Sequence, residues 1–142
     1  MHFVTGGAFN GKAKWVKKTY GVPREDAAWF SGYESEYFHI DFSTYSLIVI
    51  EGLENFVRQV IRENHSDPRE RLEKHLKTWI AWEKEAYGRQ LVLIGTDIGK
   101  GIVPMNKEDR MWRDYTGWFY QDITMMADQV DIIWYGLSHQ LK

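Results

Sequence analysis

The 142-residue chain contains no cysteine and only three prolines. The absence of cysteine excludes disulfide bonds, thiolate metal ligands and a cysteine nucleophile, which is usual for proteins of a reducing compartment. No apolar run approaches the length of a membrane-spanning helix, and no leader with a basic start and an apolar core is recognisable. We therefore expect a soluble, cytoplasmic protein without a membrane partner.

The chain also lacks an excess of positive charge: it has 18 lysines and arginines against 20 acidic residues, and its formal net charge is −2. Because the basic residues are scattered among acids, the composition argues against nucleic acid as a partner. Hydrophobic residues make up 44% of the chain, which is enough for one core at this length. We predict a single domain over residues 1–142.

Apolar runs that are typical of strands alternate with segments of helical periodicity. This alternation predicts an α/β fold with a mostly parallel central sheet. The run 46–52 is the clearest buried strand and the predicted centre of the sheet, whereas 33–44 is interpreted as a loop with a possible edge strand at 37–41. Strands are predicted near 1–5, 27–32, 46–50, 90–95 and 130–136, and helices near 12–20, 53–61, 72–80 and 107–127.

The first strand leads into the pattern of a phosphate-binding loop (P-loop), G-x-x-x-x-G-K-[S/T], in which Gly6, Gly11 and Lys12 fit. The glycines let backbone amides turn inward around phosphate oxygens, and the lysine adds a point charge. A glycine turn that merely joins a strand to a helix is the alternative, but the position of the pattern favours a nucleotide, ATP or GTP. The predicted nucleotide-binding residues are Gly6, Gly7, Ala8, Phe9, Asn10, Gly11, Lys12 and Ala13.

Two acidic residues follow predicted strands. Glu51 stands where nucleotide-binding folds place an acid that holds Mg²⁺, although a solvated residue or a helix cap is the alternative. Asp97 would lie at the same edge of the sheet, as a second metal acid or as the acceptor of a proton from a substrate hydroxyl; a turn aspartate is an equally good interpretation. The predicted catalytic residues are Lys12, Glu51 and Asp97, with Glu51 as the metal ligand.

The five histidines show no metal-ligand spacing, so the sequence does not predict a zinc site. His39 lies among aromatic residues and is interpreted either as a ligand contact or as a semi-buried structural residue. Trp79 falls at helical spacing with apolar neighbours and is predicted to belong to the core.

Both ends of the chain carry further motifs. They are Val4-Thr5-Gly6-Gly7-Ala8, Gly11-Lys12, Gly99 to Pro104, Arg110 to Asp114, Gly117, Gln121, Ala127 to Val130 and Gly136 to Lys142. These segments, about half of the chain, resemble the bifunctional adenosylcobinamide kinase / adenosylcobinamide-phosphate guanylyltransferase family of cobalamin biosynthesis. The resemblance implies a P-loop NTPase-like fold of three α/β/α layers, a homotrimer, and a nucleotide-dependent kinase that phosphorylates the hydroxyl of a corrinoid, adenosylcobinamide.

The chain departs from this family at several positions. The serine after the P-loop lysine is replaced by Ala13, which removes one ligand of Mg²⁺. Thr96-Asp97 replaces the family's Asn-Glu, and Phe9-Asn10 its Arg-Ser. The family's acid-rich helix with the histidine that accepts GMP is reduced here to residues 33–45, so guanylyltransfer is predicted to be lost. The sequence therefore predicts a divergent kinase-like protein, or alternatively a catalytically inactive nucleotide-binding or scaffold homologue.

Overall fold

The computed structural model describes residues 1–34, 40–42, 44–63 and 67–142. These residues form an α/β fold with a six-stranded sheet in the order β2-β3-β4-β1-β5-β6. Strands β1 to β5 pair in parallel, and β6 is antiparallel to β5. The strands are β1 His2–Gly6, β2 Ala27–Ser31, β3 Leu47–Glu51, β4 Gln90–Thr96, β5 Gln129–Trp134 and β6 Leu137–Gln140, and the helices are α1 Lys12–Tyr20, α2 Leu53–Glu63, α3 Pro68–Glu85 and α4 Lys107–Met126.

Helices cover both faces of the sheet, so the predicted three-layer α/β/α architecture is confirmed. On one face, Val16 of α1 packs on Val4, Val49 and Val92. The other face packs against α2, α3 and α4, where Trp79 is only 2% exposed, as predicted for a core residue. Because side chains alternate along each strand, successive residues of β1 enter the two cores in turn.

Local sequence signals explain where the helices begin and end. Asp67 caps α3 by accepting the amide of Arg69, and Pro68 occupies the first helical position, where no amide donor is needed. Asn106 caps α4 by accepting the amide of Glu108. Helix α1 ends at Gly21, which adopts a left-handed conformation with φ 66°.

Two predictions about the sheet were wrong. Strand β3 is an interior strand, but β4 and β1 occupy the middle of the sheet. The segment 130–136 was predicted as the last strand, yet a tight turn at Tyr135 and Gly136 leads into β6. The possible edge strand at 37–41 lies mostly outside the described residues.

Within the described part of the chain, no helix combines the length and the apolar composition needed to span a membrane. The parallel strands instead bring the ends of β1, β3 and β4 to one edge of the sheet. The sequence motifs around Lys12, Glu51 and Asp97 meet at this edge.

Candidate functional site

The loop after β1 begins at a glycine that no other residue can replace without rearrangement. Gly6 has φ 141°, and a Cβ atom there would lie 2.4 Å from the carbonyl oxygen of Ile133. The Gly6 carbonyl also accepts the amide of Asp97 at 3.0 Å. The start of the loop is thereby held between β5 and the end of β4.

The side chain of Lys12 lies inside this loop. It is 8% exposed, and its Nζ donates a hydrogen bond to the carbonyl oxygen of Gly7 at 2.8 Å. Burial lowers the pKa of Lys12. The negative charges of Glu54 and Glu51 raise this pKa, but by less than burial lowers it. A buried ammonium attracts an anion, because a nearby negative charge stabilises its charged form.

Lys12 borders a cavity of about 520 Å³ that Ala13, Glu51 and Glu54 also line. Phe9 stands at its edge with φ 59° and a fully exposed side chain, so this residue does not fill the space. The cavity is large enough for part of a nucleotide. The structure therefore brings Lys12, Ala13 and Glu51 together, as expected from the P-loop interpretation.

Glu51 ends β3, and one of its carboxylate oxygens accepts the indole N–H of Trp29 at 2.9 Å. This bond orients the carboxylate at the cavity. Among the described residues, no group of three or more histidines and acids is arranged to hold a metal ion. Mg²⁺ commonly takes only one or two protein carboxylates beside phosphate oxygens and water, so Glu51 fits that role even though Ala13 offers no oxygen.

Glu54 was not predicted as a site residue. It is 4% exposed and accepts hydrogen bonds from the Thr96 amide at 2.9 Å, from the Tyr120 hydroxyl at 3.2 Å and from the Tyr33 hydroxyl. Burial and this carboxylate raise the pKa values of both tyrosines. The sequence did indicate that Glu54 is buried, because it lies on the same face of the predicted helix as the apolar residues Val57 and Ile61.

Asp97 does not line the cavity of Lys12. It borders a neighbouring cavity of about 680 Å³ that extends along α4 and β5 and also touches Gly6 and Gly7. Its carboxylate accepts the Gly99 amide at 2.9 Å and lies 3.6 Å from the Lys100 ammonium. Asp97 thus lies on the other side of the loop from Glu51, at a cavity whose walls are mostly apolar.

The P-loop is also attached to the turn between β5 and β6. Asn10 accepts the amide of Tyr135 through its side chain at 3.1 Å and the amide of Gly136 through its backbone carbonyl at 2.8 Å. Tyr135 and Gly136 both have positive φ values, 51° and 76°. Asn10 therefore fixes a two-residue turn beside the loop, a role that the motif alone does not indicate.

Two arginines of α4 hold the segment between β4 and α4. Arg110 donates to the carbonyl of Pro104 at 3.3 Å and to that of Met105, and Arg113 donates to the carbonyl of Gly99. These bonds connect the segment after Asp97 to a helix. His39, the remaining candidate from the sequence, lies outside the described residues.

The comparisons with known proteins agree with the C-terminal motifs. The model of a family described as cobinamide kinase / cobinamide phosphate guanyltransferase matches residues 34–141. This range contains Glu51, Glu54 and Asp97, and it begins after the loop that carries Lys12. No curated protein matches the chain significantly.

Proposed function

Since the chain belongs to the cobinamide kinase / cobinamide phosphate guanyltransferase family, we propose that it is a divergent kinase of cobalamin biosynthesis. It would transfer the γ-phosphoryl group of ATP or GTP to the hydroxyl of adenosylcobinamide. Membership of this family supports a nucleotide and a corrinoid as the substrates. The roles proposed for individual residues rest on the geometry at the edge of the sheet.

One observation carries the proposal: Lys12 and Glu51 line one cavity, and Asp97 lines a second one that meets the same loop. A kinase needs a place for the phosphates and a separate place for the acceptor. The loop amides and Lys12 would hold the phosphates. The larger, mostly apolar cavity would receive the part of the corrinoid that carries the hydroxyl.

The residues of this chain would divide the reaction between them. Lys12 binds the β- and γ-phosphates and compensates their charge, and Glu51 would hold Mg²⁺, which neutralises further phosphate charge when bound. Asp97 accepts the proton of the acceptor hydroxyl, while the hydroxyl oxygen forms its bond to the γ-phosphorus. The bond between the γ-phosphorus and the bridging oxygen breaks, and the nucleoside diphosphate leaves.

We propose that guanylyltransfer is lost, because the resemblance places an acid-rich helix with the acceptor histidine before the Glu51 strand, where this chain has only residues 32–46 between β2 and β3. We further propose, from the resemblance, a single-domain subunit of a homotrimer. The absence of cysteine supports a cytoplasmic location.

A second function is favoured by Ala13. Phosphoryl transfer depends on metal positioning, and a hydroxyl that normally contacts Mg²⁺ is missing at this position. The alternative is a nucleotide-binding or scaffold homologue that has kept the family fold without its chemistry.

One experiment separates the two functions. The purified protein is incubated with Mg-ATP or Mg-GTP and adenosylcobinamide, and the corrinoid is analysed by mass spectrometry. A gain of one phosphoryl group supports the kinase. Nucleotide binding without any phosphorylated corrinoid supports the inactive homologue.

A further inference from the structure

We propose that Glu54 is a positioning residue of the kinase, an inference that rests on the proposed function. Glu54 lies in the first turn of α2 and is 4% exposed, and none of the proposed reaction steps uses it. A carboxylate at this depth is costly to bury unless hydrogen bonds compensate its charge. Those hydrogen bonds hold the segment Thr96-Asp97, so Glu54 sets the place of the proposed base, Asp97.

Thr96 is held through its amide, its carbonyl and its hydroxyl. The amide donates to Oε2 of Glu54 at 2.9 Å, and the carbonyl oxygen accepts the hydroxyl of Tyr120 at 3.0 Å. The hydroxyl oxygen lies 3.2 Å from that of Tyr33. Because Tyr33 gives its single proton to Glu54, the hydroxyl of Thr96 is the donor in this contact. Thr96 therefore has a fixed orientation at the end of β4.

Asp97 is fixed through the peptide group that joins it to Thr96. The carbonyl of this group accepts the hydroxyl of Tyr120, and its N–H, the amide of Asp97, donates to the carbonyl oxygen of Gly6 at 3.0 Å. Tyr120 also donates to the Glu54 oxygen that holds the Thr96 amide, at 3.2 Å. A displacement of about 1 Å in a reacting group can cost about 100-fold in rate, so the place of this peptide group matters to a base.

Glu54 stands at the wall between the two cavities. It lines the cavity of about 520 Å³ in which the phosphates are proposed to bind, together with Thr96 and Tyr33. Tyr120 and Asp97 line the larger cavity that is proposed to receive the corrinoid. The carboxylate of Glu54 therefore connects a tyrosine of one cavity to a tyrosine of the other, and it holds the two sides of the reaction in one arrangement.

Strand β4 leaves room for the ring of Tyr120 beside it. A Cβ atom at Gly95 would lie 2.3 Å from the hydroxyl oxygen of Tyr120 and 2.5 Å from its Cζ atom, so a side chain there would displace the ring. Phe3 contacts the same ring edge-on, with centroids 5.2 Å apart. The hydroxyl of Tyr120 reaches Glu54 because residue 95 is a glycine.

The contacts of Glu54 suit a positioning role better than that of a second base. Its two carboxylate oxygens already accept hydrogen bonds from Tyr33, Thr96 and Tyr120. Burial and the neighbouring carboxylate raise the pKa values of both tyrosines, so their hydroxyls stay protonated and continue to donate at neutral pH. A proton taken up by Glu54 would disrupt the bonds that hold Thr96.

Steady-state kinetics of corrinoid phosphorylation by the Glu54→Gln variant tests this role. The amide keeps the size of the side chain but turns N–H donors toward donors of the neighbouring groups. We expect kcat to fall about 10-fold to 100-fold, because the base is misplaced. The KM for the nucleotide should not rise, since the variant removes negative charge from the cavity of the phosphates. A general loss of the loop structure would raise this KM.

A double variant separates positioning from a merely structural role. In a protein that already carries Asp97→Asn, the change Glu54→Gln should lower kcat by less than about twofold, because the group that Glu54 positions has been removed. Tyr120→Phe, which keeps the ring and removes its hydroxyl, should lower kcat by less than Glu54→Gln does. Glu63→Gln is the matched control. Glu63 lies at the other end of α2, where it pairs with Arg71, and kcat should not change.

An unchanged kcat in the Glu54→Gln variant, or a loss that multiplies with that of Asp97→Asn, would overturn the positioning role and leave the proposed kinase intact. If Glu54→Gln does not fold, an unchanged kcat in the Tyr120→Phe variant would overturn it equally. If the wild-type protein does not phosphorylate the corrinoid, the proposed kinase itself is wrong, and the inference falls with it.

Discussion

The Nζ atom of Lys12 donates a hydrogen bond to the carbonyl oxygen of Gly7, five residues earlier, at 2.8 Å. This bond holds a buried ammonium across the loop whose amides are expected to bind phosphate. Burial lowers the pKa of Lys12, so the charged side chain is held at a cost that an incoming anion offsets.

Ala13→Ser should strengthen nucleotide binding in the presence of Mg²⁺, because the new hydroxyl supplies the missing metal contact. We expect a gain of about threefold to tenfold in affinity with Mg²⁺ and little change without it. Titration of ATP with and without Mg²⁺ measures the difference. Ala81→Ser, at an exposed position on α3, is the control. An equal gain in both variants, or none that depends on the metal, would contradict the placement of residue 13 beside Mg²⁺.

Asp97→Asn should lower kcat for corrinoid phosphorylation by about 100-fold or more, since a positioned general base typically contributes that much. The amide retains an oxygen for the bond from Gly99, so the turn should survive and KM for the nucleotide should change little. Steady-state kinetics with both substrates provides the measurement. Asp114→Asn, an exposed position on α4, should leave kcat unchanged. A rise in KM with constant kcat would assign Asp97 to binding.

Incubation with GTP should leave the intact mass of the protein unchanged. This expectation follows from the proposed loss of guanylyltransfer, since the resemblance places the GMP-accepting histidine on a helix that is reduced here to residues 33–45. Intact-protein mass spectrometry provides the measurement, and peptide mapping locates any adduct. The gain of one GMP on His39 would show that guanylyltransfer persists by another route.

The protein should lose stability as the pH falls below about 6.5, the ordinary pKa of histidine. His2 is 2% exposed, and burial lowers its pKa despite the hydrogen bond to Asp131 at 2.8 Å; the nearby N-terminal ammonium lowers it further. The Tyr20 hydroxyl contacts the other ring nitrogen at 2.6 Å. Because the unfolded chain binds the proton more tightly, this contribution is full above pH 6.5 and is lost as the pH falls toward the folded-state pKa.

Each tenfold difference between the proton affinities of His2 in the folded and the unfolded protein changes the free energy of unfolding by about 1.4 kcal/mol. Urea unfolding between pH 7.5 and 5.5 measures the slope. The pKa of His75 is also lowered by burial. The His75→Phe variant should therefore keep the part of the pH dependence of the unfolding free energy that comes from His2. If the unfolding free energy of the His75→Phe variant does not change over this pH range, His2 has the same pKa in the folded and the unfolded protein.

The sequence predicted the strands and helices that have strong patterns, and their order in the chain is confirmed. It could not predict the order in the sheet, because β1, β3 and β4 are all apolar runs and hydrophobicity does not distinguish the central strands. Strand β6 was missed for a different reason. Residues 137–140 are all exposed, so no alternation marks them, and the Tyr135-Gly136 turn lacks the usual asparagine or aspartate before its glycine.

The candidate site was predicted in part. Lys12 and Glu51 border one cavity because a P-loop and a strand-end acid have fixed places in such folds. The hydrogen bonds of Glu54 depend on the hydroxyls of Tyr33 and Tyr120, which come from distant parts of the chain. No local pattern predicts such contacts, and the attachment of Asn10 to the β5–β6 turn likewise joins residues about 125 positions apart.

The proposed kinase requires the P-loop to act as a phosphate site. Isothermal titration of the wild-type protein with Mg-ATP, Mg-GTP and tripolyphosphate should show binding that Lys12→Ala weakens at least tenfold, because the variant loses the only cation placed inside the described loop. Lys17→Ala, on the same helix but outside the cavity, should bind like the wild type. Absence of binding in the wild-type protein, or equal affinity in the Lys12→Ala variant, would contradict the account.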